Sequence, residues 1–206
     1  MIYFLHGADT YRSRRKLNEI VSEFRKRGGE SLAVTRIDAE DHPEGVFLAG
    51  RTASLFSPKE LVVIENVSRS EDALKKHIAG QLANWKKDKN LTVIFWEGDV
   101  STEKDSLTGL LKKNAAKAQE FKLLSPAKVE MWLAVTLKKG SAILASEERK
   151  LLLGKHGADL WALTHELEKI NAGWTVTGRE SGEEKIWNFT DAFLKPAARV
   201  FIRSQD

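Results

Sequence analysis

The amino-acid sequence predicts an α/β fold, a parallel-sheet domain over residues 1–124 followed by a small all-helical domain. Short apolar runs recur through the first 120 residues, at 2–5, 32–37, 61–64 and 91–96, with a weaker one at 121–124. Between them lie longer segments whose apolar residues fall at helical spacing. After about residue 125 no strand run of comparable strength follows. Strand and helix in alternation point to a parallel sheet, and the change of texture places a boundary near Leu124.

Taken in order, the first run leads into a turn, His6-Gly-Ala-Asp-Thr, and then into a helix with Leu17, Ile20, Val21 and Phe24 on one stripe among Arg14, Arg15, Lys16, Arg25 and Lys26. Asp9 and Thr10 stand where an N-cap is needed. Val46, Phe47 and Leu48 belong to a short helical stretch, and Ser57-Pro58 breaks the chain before the next strand. Leu-Val-Val-Ile and Leu-Thr-Val-Ile-Phe-Trp are apolar on both faces, as strands covered by helices on two sides must be. Leu107, Leu110 and Leu111 follow at helical spacing. Ser125-Pro-Ala-Lys-Val-Glu then combines an N-cap residue with a proline at the first helical position, so a helix with Trp132, Leu133, Val135 and Leu137 starts there. A second amphipathic stretch over 147–153 is expected to end at Gly154. A third follows Gly157-Ala-Asp-Leu, with Leu160, Leu163, Leu167 and Ile170 on one face.

Composition bounds the chemistry. The 206 residues are 42% hydrophobic and 30% charged with only 4 Pro, which excludes a disordered or low-complexity chain. With no Cys, disulfides, thiolate metal sites and cysteine nucleophiles are all excluded, and a reducing cytoplasm is the expected setting. No 18-residue apolar run and no signal-peptide pattern is present, so no membrane contact is expected. The net charge of +4 permits contact with nucleic acid without requiring it.

Several candidate sites compete with ordinary structural roles. The first strand–helix turn occupies the place of a phosphate loop, yet after Gly7 no second Gly occurs until Gly28, so the G-x-x-x-x-G-K-[ST] pattern fails and ATP hydrolysis is not expected. His165-Glu-Leu-Glu-Lys misses the zincin spacing, because Lys169 stands where the second His would be. Asp99 and Glu103 could hold Mg²⁺, but they flank Ser101 and Thr102 ahead of a helix and read as a capped start. Six Trp occur, at 85, 96, 132, 161, 174 and 187; Trp85-Lys-Lys-Asp-Lys has the look of a base-stacking platform, whereas core packing is the expectation for most of them. Leu55 and Phe56, in Arg51-Thr-Ala-Ser-Leu-Phe-Ser-Pro, set two large apolar residues between a helix end and a turn, which suits either core or a wedge for a partner's pocket.

Taken together, these features resemble the delta subunit family of the bacterial DNA polymerase III clamp loader. The resemblance runs from strand-Gly7-x-Asp9-x-Tyr11 through Ser54-Leu55-Phe56, Glu60-Leu-Val-Val-Ile-Glu-Asn and Leu91-Thr-Val-Ile-Phe-Trp. It continues with Met131-Trp132, Gly157-Ala-Asp-Leu-Trp, His165-Glu-Leu-Glu-Lys-Ile and Lys185-Ile-Trp-Asn-Phe-Thr-Asp-Ala-Phe. It implies a RecA/AAA+-like domain with a degenerate nucleotide site over residues 1–124, a lid-like helical domain over 125–186, and the start of a truncated or missing collar domain over 187–206. It also implies a non-catalytic subunit without cofactor or metal, located in the cytoplasm. Its partners would be the sliding clamp, the other loader subunits and, through the assembled loader, DNA. Ser54, Leu55 and Phe56 would enter a pocket of the clamp and open the ring. Arg51 departs from the Gln that often precedes such a Leu-Phe pair. The alternative is a basic nucleic-acid-binding module using Arg12, Arg14, Arg15 and the lysine-rich turns.

Overall fold

The structure, a computed structural model, describes residues 1–28, 32–50, 59–98, 106–140, 143–172 and 176. It divides into two compact units, Met1–Leu123 and Leu124–Asp206.

The first unit is built on five parallel strands: β1 (Ile2–His6), β2 (Leu32–Asp38), β3 (Lys59–Glu65), β4 (Leu91–Glu97) and β5 (Lys117–Glu120), in spatial order β2-β3-β4-β1-β5. Its described helices are α1 (Thr10–Gly28), α2 (Pro43–Leu48), α3 (Asp72–Lys87) and α4 (Ser106–Asn114), with a 3₁₀ turn at Val67–Arg69. Side-chain alternation sorts the strand residues onto two faces. Phe4, Val62, Ile64, Val93 and Phe95 pack against α2, α3 and α4 through Val46, Leu74, Ile78, Leu82 and Leu111. Leu5, Leu61, Val63, Ile94 and Trp96 pack on the other face against Leu17 and Val21 of α1. The middles of the central strands, Leu61–Ile64 and Val93–Trp96, are therefore apolar on both faces, as a sheet covered on both sides requires.

Departures from the sequence expectation have physical causes. The fifth strand is Lys117–Glu120 rather than 121–124. It is an edge strand with mostly exposed side chains, so it carries no apolar run to reveal it. Phe121 instead ends the strand: its N–H donates to the His6 carbonyl (2.7 Å), and its ring is buried beneath α1. Leu110, counted on the apolar stripe of α4, is 39% exposed, while Leu107 and Leu111 carry the packing.

In the second unit the described helices are α5 (Pro126–Lys139), α6 (Ser146–His156) and α7 (Leu160–Asn171). Ser125 stands at the N-cap of α5 but makes no side-chain capping bond. The second helix runs through Gly154 and ends ahead of Gly157, where φ is +55°. Asp159 caps α7, its Oδ1 accepting the Ala162 N–H at 3.0 Å. Leu152, Leu160, Leu163 and Leu167 are buried; Trp161, expected in the core, is 43% exposed.

Phe95 lies fully buried on the face opposite α1, near Trp85 (ring centroids 6.2 Å). Phe95→Ala should lower the unfolding free energy by about 3–5 kcal/mol, because both the transfer term and an unfilled cavity count against the variant. Urea denaturation followed by circular dichroism measures it, and a loss under about 1 kcal/mol would contradict this packing.

Candidate functional site

The topology has one switch point: β1 is followed by α1 on one face, and its neighbour β4 is followed by α4 on the other. In open α/β sheets the crevice at the carboxyl ends of two such strands is the usual ligand position. Here His6 of β1 is in register with Glu97 of β4, and the turn after β1 closes over them. Gly7 has φ +125°, and a Cβ at that position would come within 2.5 Å of the Phe121 carbonyl oxygen, so only glycine fits.

Three backbone amides of this turn end on the protein itself. Gly7 N–H donates to the Gly98 carbonyl (3.1 Å), Asp9 N–H to the Phe121 carbonyl (2.9 Å) and Thr10 N–H to the Ala8 carbonyl (3.0 Å). Asp9, 3% exposed, accepts the Arg12 N–H on Oδ1 (2.9 Å) and pairs with Arg12 Nε through Oδ2 (2.6 Å). The positive end of the α1 dipole is thus answered by a carboxylate of the same chain, at the place where a nucleotide-binding turn would seat a phosphate. Glu97, also buried, accepts from the Ser68 hydroxyl (2.7 Å) and N–H (3.2 Å), which ties the ends of β3 and β4 together.

Ser54, Leu55 and Phe56, with Arg51, lie outside the described residues. The two ends of that stretch are described, and both rest on the α3–β4 connection. Gly50, at φ +71°, packs so closely that a Cβ would meet Leu91 Cδ2 at 2.7 Å and Trp85 Nε1 at 3.3 Å. On the other side, Lys59 opens β3 and the Glu60 N–H donates to the Asn90 carbonyl (2.9 Å). A hollow of about 380 Å³ adjoins Gly50, lined in part by Phe47, His77, Trp85 and Leu91. Phe47 lies against the His77 ring (centroids 4.5 Å) yet is 39% exposed, and Leu48 is 57% exposed. The sequence pattern puts these two simply in a helical stretch; their proximity to the end of a helix of only six residues is the signal that they could face outward.

The other candidates separate clearly. Arg12 is held by Asp9 and by the Lys122 carbonyl (2.6 Å), and Arg14 by both oxygens of Glu65 (2.7 and 2.6 Å) while lying 3.7 Å over the Trp96 ring. Arg15 lies 5.8 Å over the Tyr11 ring. Arg12 and Arg14 therefore serve the fold rather than standing open for phosphates, while Arg15 is exposed. His165 faces Glu168 (3.5 Å) on an exposed helix surface, and among the described residues no cluster of His, Asp and Glu could hold a metal ion. Trp85 and Trp96 are buried and Trp132 is half-buried. Asp99, Ser101, Thr102 and Glu103, like Trp174 and Trp187, lie outside the described residues.

Comparison with known proteins places this geometry in context. A family model described as DNA polymerase III, delta subunit, matches residues 3–121, more than half of the chain. No curated protein sequence matches. Domain III of the Thermotoga maritima replication initiation protein DnaA is similar at a TM-score of 0.57 and 13% identity, over 87% of this chain and 78% of that one, which shows the fold alone. The Bacillus subtilis DNA clamp loader delta protein (YqeN) is similar at 19% identity and a TM-score of 0.49, over 83% of this chain and 52% of that one. The chain thus spans about half the length of that relative. The α/β class with a parallel RecA/AAA+-like sheet and a helical portion, expected from the sequence, is the class observed.

His6 supplies a test of the switch point. Its ring is stacked on Phe4 (4.6 Å) and almost wholly buried. Burial and the Lys112 cation push its pKa below the ordinary value of 6.5, with Glu120 opposing them weakly. The folded state therefore takes up a proton less readily than the unfolded chain, so the stability this group contributes is full above pH 6.5 and declines as pH falls below it. Unfolding midpoints in urea at about pH 7.5 and about pH 5.5, either side of the ordinary His range, should differ more for the wild type than for His6→Gln. Equal differences would remove His6 from the acid response.

Proposed function

The chain belongs to the DNA polymerase III delta subunit family, and from that premise we propose that it works as the subunit of a clamp loader that binds and opens the DNA sliding clamp. The observation that carries the reading is the family match over residues 3–121, a stretch that contains Ser54, Leu55 and Phe56. In this reading Leu55 and Phe56 are the apolar anchors that enter a pocket of the clamp, and Ser54 borders them. Interface energies rest on a few desolvated anchors of this kind.

Two features of the geometry support the reading. The stretch 51–58 is bracketed by firm roots: Gly50 is wedged against Leu91 and Trp85, and Glu60 is bonded to Asn90. Force applied to a wedge is transmitted only if its base is fixed to the core, and both roots lead into β4 and α3 at the centre of the domain. The turn after β1, with its amides bonded to carbonyls and Asp9 at the helix N-terminus, supports a subunit with no ATP hydrolysis of its own. Its role would then be contact within a non-catalytic subunit. Residues 1–124 would bind the clamp, residues 125–186 would form a lid-like helical domain, and the other loader subunits would be further partners. Among the described residues no helix is long and apolar enough to cross a membrane, and the cytoplasm is the proposed location.

Mixing the chain with its cognate sliding clamp and measuring affinity by surface plasmon resonance tests the proposal. Leu55→Ala combined with Phe56→Ala should weaken binding by roughly a hundredfold or more, about 3 kcal/mol. A clamp complex that survives the double substitution would reject the wedge, and no complex with the wild type would reject the clamp-opening role itself.

A further inference from the structure

In a sheet whose strands are all parallel, every connecting helix runs antiparallel to the strands, so the helix C-termini gather at the edge where the strands begin. Helix C-termini favour cations. Here the last turn of α1 carries Arg25, Lys26 and Arg27, that of α3 Lys86 and Lys87, and that of α4 Lys112 and Lys113. The strand starts add Lys59, Lys89 and Lys117. Of these, Lys112 also acts on His6. Among the described residues Lys59, Lys86, Lys87, Lys89, Lys113 and Lys117 are exposed and form no ion pair.

The opposite edge has the reverse character. Asp9, Asp38, Glu40, Glu65, Glu97 and Glu120 gather at the carboxyl ends of the strands, and the cations there are taken up by them: Arg12 by Asp9, Arg14 by Glu65, Arg69 by Glu40 and Lys122 by Glu120. The basic edge also holds carboxylates: Glu23 pairs with Lys26 (3.3 Å), Asp88 accepts the Asn90 N–H at 2.8 Å, and Glu60 follows Lys59, so the positive excess there rests on the lysines that form no ion pair.

We propose that this strand-start edge, with Lys86, Lys89 and Lys117 at its centre, is a docking surface for the phosphate backbone of duplex DNA. Lys86 and Lys89 line one hollow of about 360 Å³ with Asp88, Ile2, Asn114 and Ala116, and Lys117 opens β5 one residue beyond Ala116. Lys89 also lines a second hollow, of about 460 Å³, where Lys16, Arg27 and Lys59 alternate with Glu19, Glu23 and Glu60. Lysine is depleted in protein–protein interfaces and lacks the apolar anchor they need, whereas it serves phosphates well as a mobile point charge. Single strands call for exposed aromatic platforms, and Trp85, the aromatic next to Lys86, is 4% exposed with its ring turned into the core. Duplex backbone is therefore the occupant this edge fits. The surface stands on charge alone, independent of the clamp-opening role.

Fluorescence anisotropy of a labelled duplex of arbitrary sequence, about 25 base pairs or two to three helical turns long, titrated with the full chain at several KCl concentrations, tests the proposal. Lys86→Ala, Lys89→Ala and Lys117→Ala together should weaken binding at least tenfold at low salt and reduce the slope of log K against log salt by about 2 to 3, near 0.9 for each phosphate that is no longer neutralised. The comparison is Arg69→Ala, Lys76→Ala and Lys122→Ala, which removes the same charge from exposed positions of the same unit, beyond the strand-start edge, and should leave binding close to wild type. Both variants are checked by urea denaturation and by sliding-clamp binding, which the edge substitutions should leave intact. No duplex binding by the wild type, equal weakening in the two variants, or tighter binding of an unpaired strand would each overturn the proposal. Abolished clamp binding with DNA binding unchanged would overturn it too, because the edge would then face an acidic protein surface.

Discussion

Asp9 is the residue on which the arrangement of the first unit turns. It stands at the N-terminus of α1, and its carboxylate bonds the Arg12 amide and guanidinium while its own N–H reaches the Phe121 carbonyl. One side chain and one amide thereby fix three things: the start of the helix, its seat against β1, and the exit of the chain from β5. The consequences run along α1. Ser13 is placed to accept the Trp96 indole N–H (3.1 Å), and Arg14 to lie over the same ring and bond Glu65. Partly buried charge-assisted bonds of this geometry are stronger than surface pairs, because each group is held in place by its neighbours and is only partly open to water. With α1 so fixed, its apolar stripe covers one face of the sheet.

The same residue occupies the place where a nucleotide-binding turn would seat a phosphate. A helix N-terminus attracts anions, and nucleotide-binding turns leave their amides open for a phosphate. In this chain the amides of Gly7, Asp9 and Thr10 have carbonyl partners, and a buried carboxylate stands at the dipole's positive end. Seating a phosphate would require breaking these bonds and bringing two anions together in a poorly solvated place, both of which cost free energy. The turn has become a structural joint between β1, β4 and the residue after β5.

Much of this is legible in the sequence, for reasons that particular residues make plain. The runs at 61–64 and 91–96 are apolar on both faces, and only strands inside a two-sided sandwich need that pattern. Asp9 before a helical stripe reads as a cap, and the missing second glycine excludes a phosphate loop. What escapes is whatever does not advertise itself by hydrophobicity. The edge strand Lys117–Glu120 pairs with β1 alone among the described strands and leaves most of its side chains exposed, so it carries no apolar run and periodicity passes over it in favour of the apolar Phe121. Gly154 reads as a helix end although helices tolerate an isolated glycine, while Gly157 with its positive φ is the true stop. Trp161 reads as core from its neighbours, yet the stripe of α7 passes through Leu160, Leu163 and Leu167 and leaves it outside. For the candidate site, the roots of 51–58 are invisible to local pattern, because Gly50, Trp85, Asn90 and Leu91 are distant in sequence and meet only through the α3–β4 connection.

The segregation of charge follows from topology as much as from composition. A net charge of +4 spread evenly over 206 residues would create little field. A parallel sheet, however, sends each helix C-terminus to one edge and each N-terminus to the other, and dipole complementarity then sorts lysines toward the first and carboxylates toward the second. On the carboxylate-rich edge the cations that do occur are consumed in ion pairs with Asp9, Glu40, Glu65 and Glu120, and that edge is locked into the fold. On the lysine-rich edge Lys26 pairs with Glu23, whereas Lys59, Lys86, Lys87, Lys89, Lys113 and Lys117 stay exposed with no ion pair among the described residues, and the described ends of the stretch 51–58, Gly50 and Lys59, lie beside them. A modest excess of positive charge thus becomes a directional field at the edge where Gly50 and Lys59 lie, while at the opposite edge the amides of Gly7, Asp9 and Thr10 are bonded to carbonyls of the chain. Both outcomes come from one rule of chain direction, applied to residues that individually do nothing more than finish a helix.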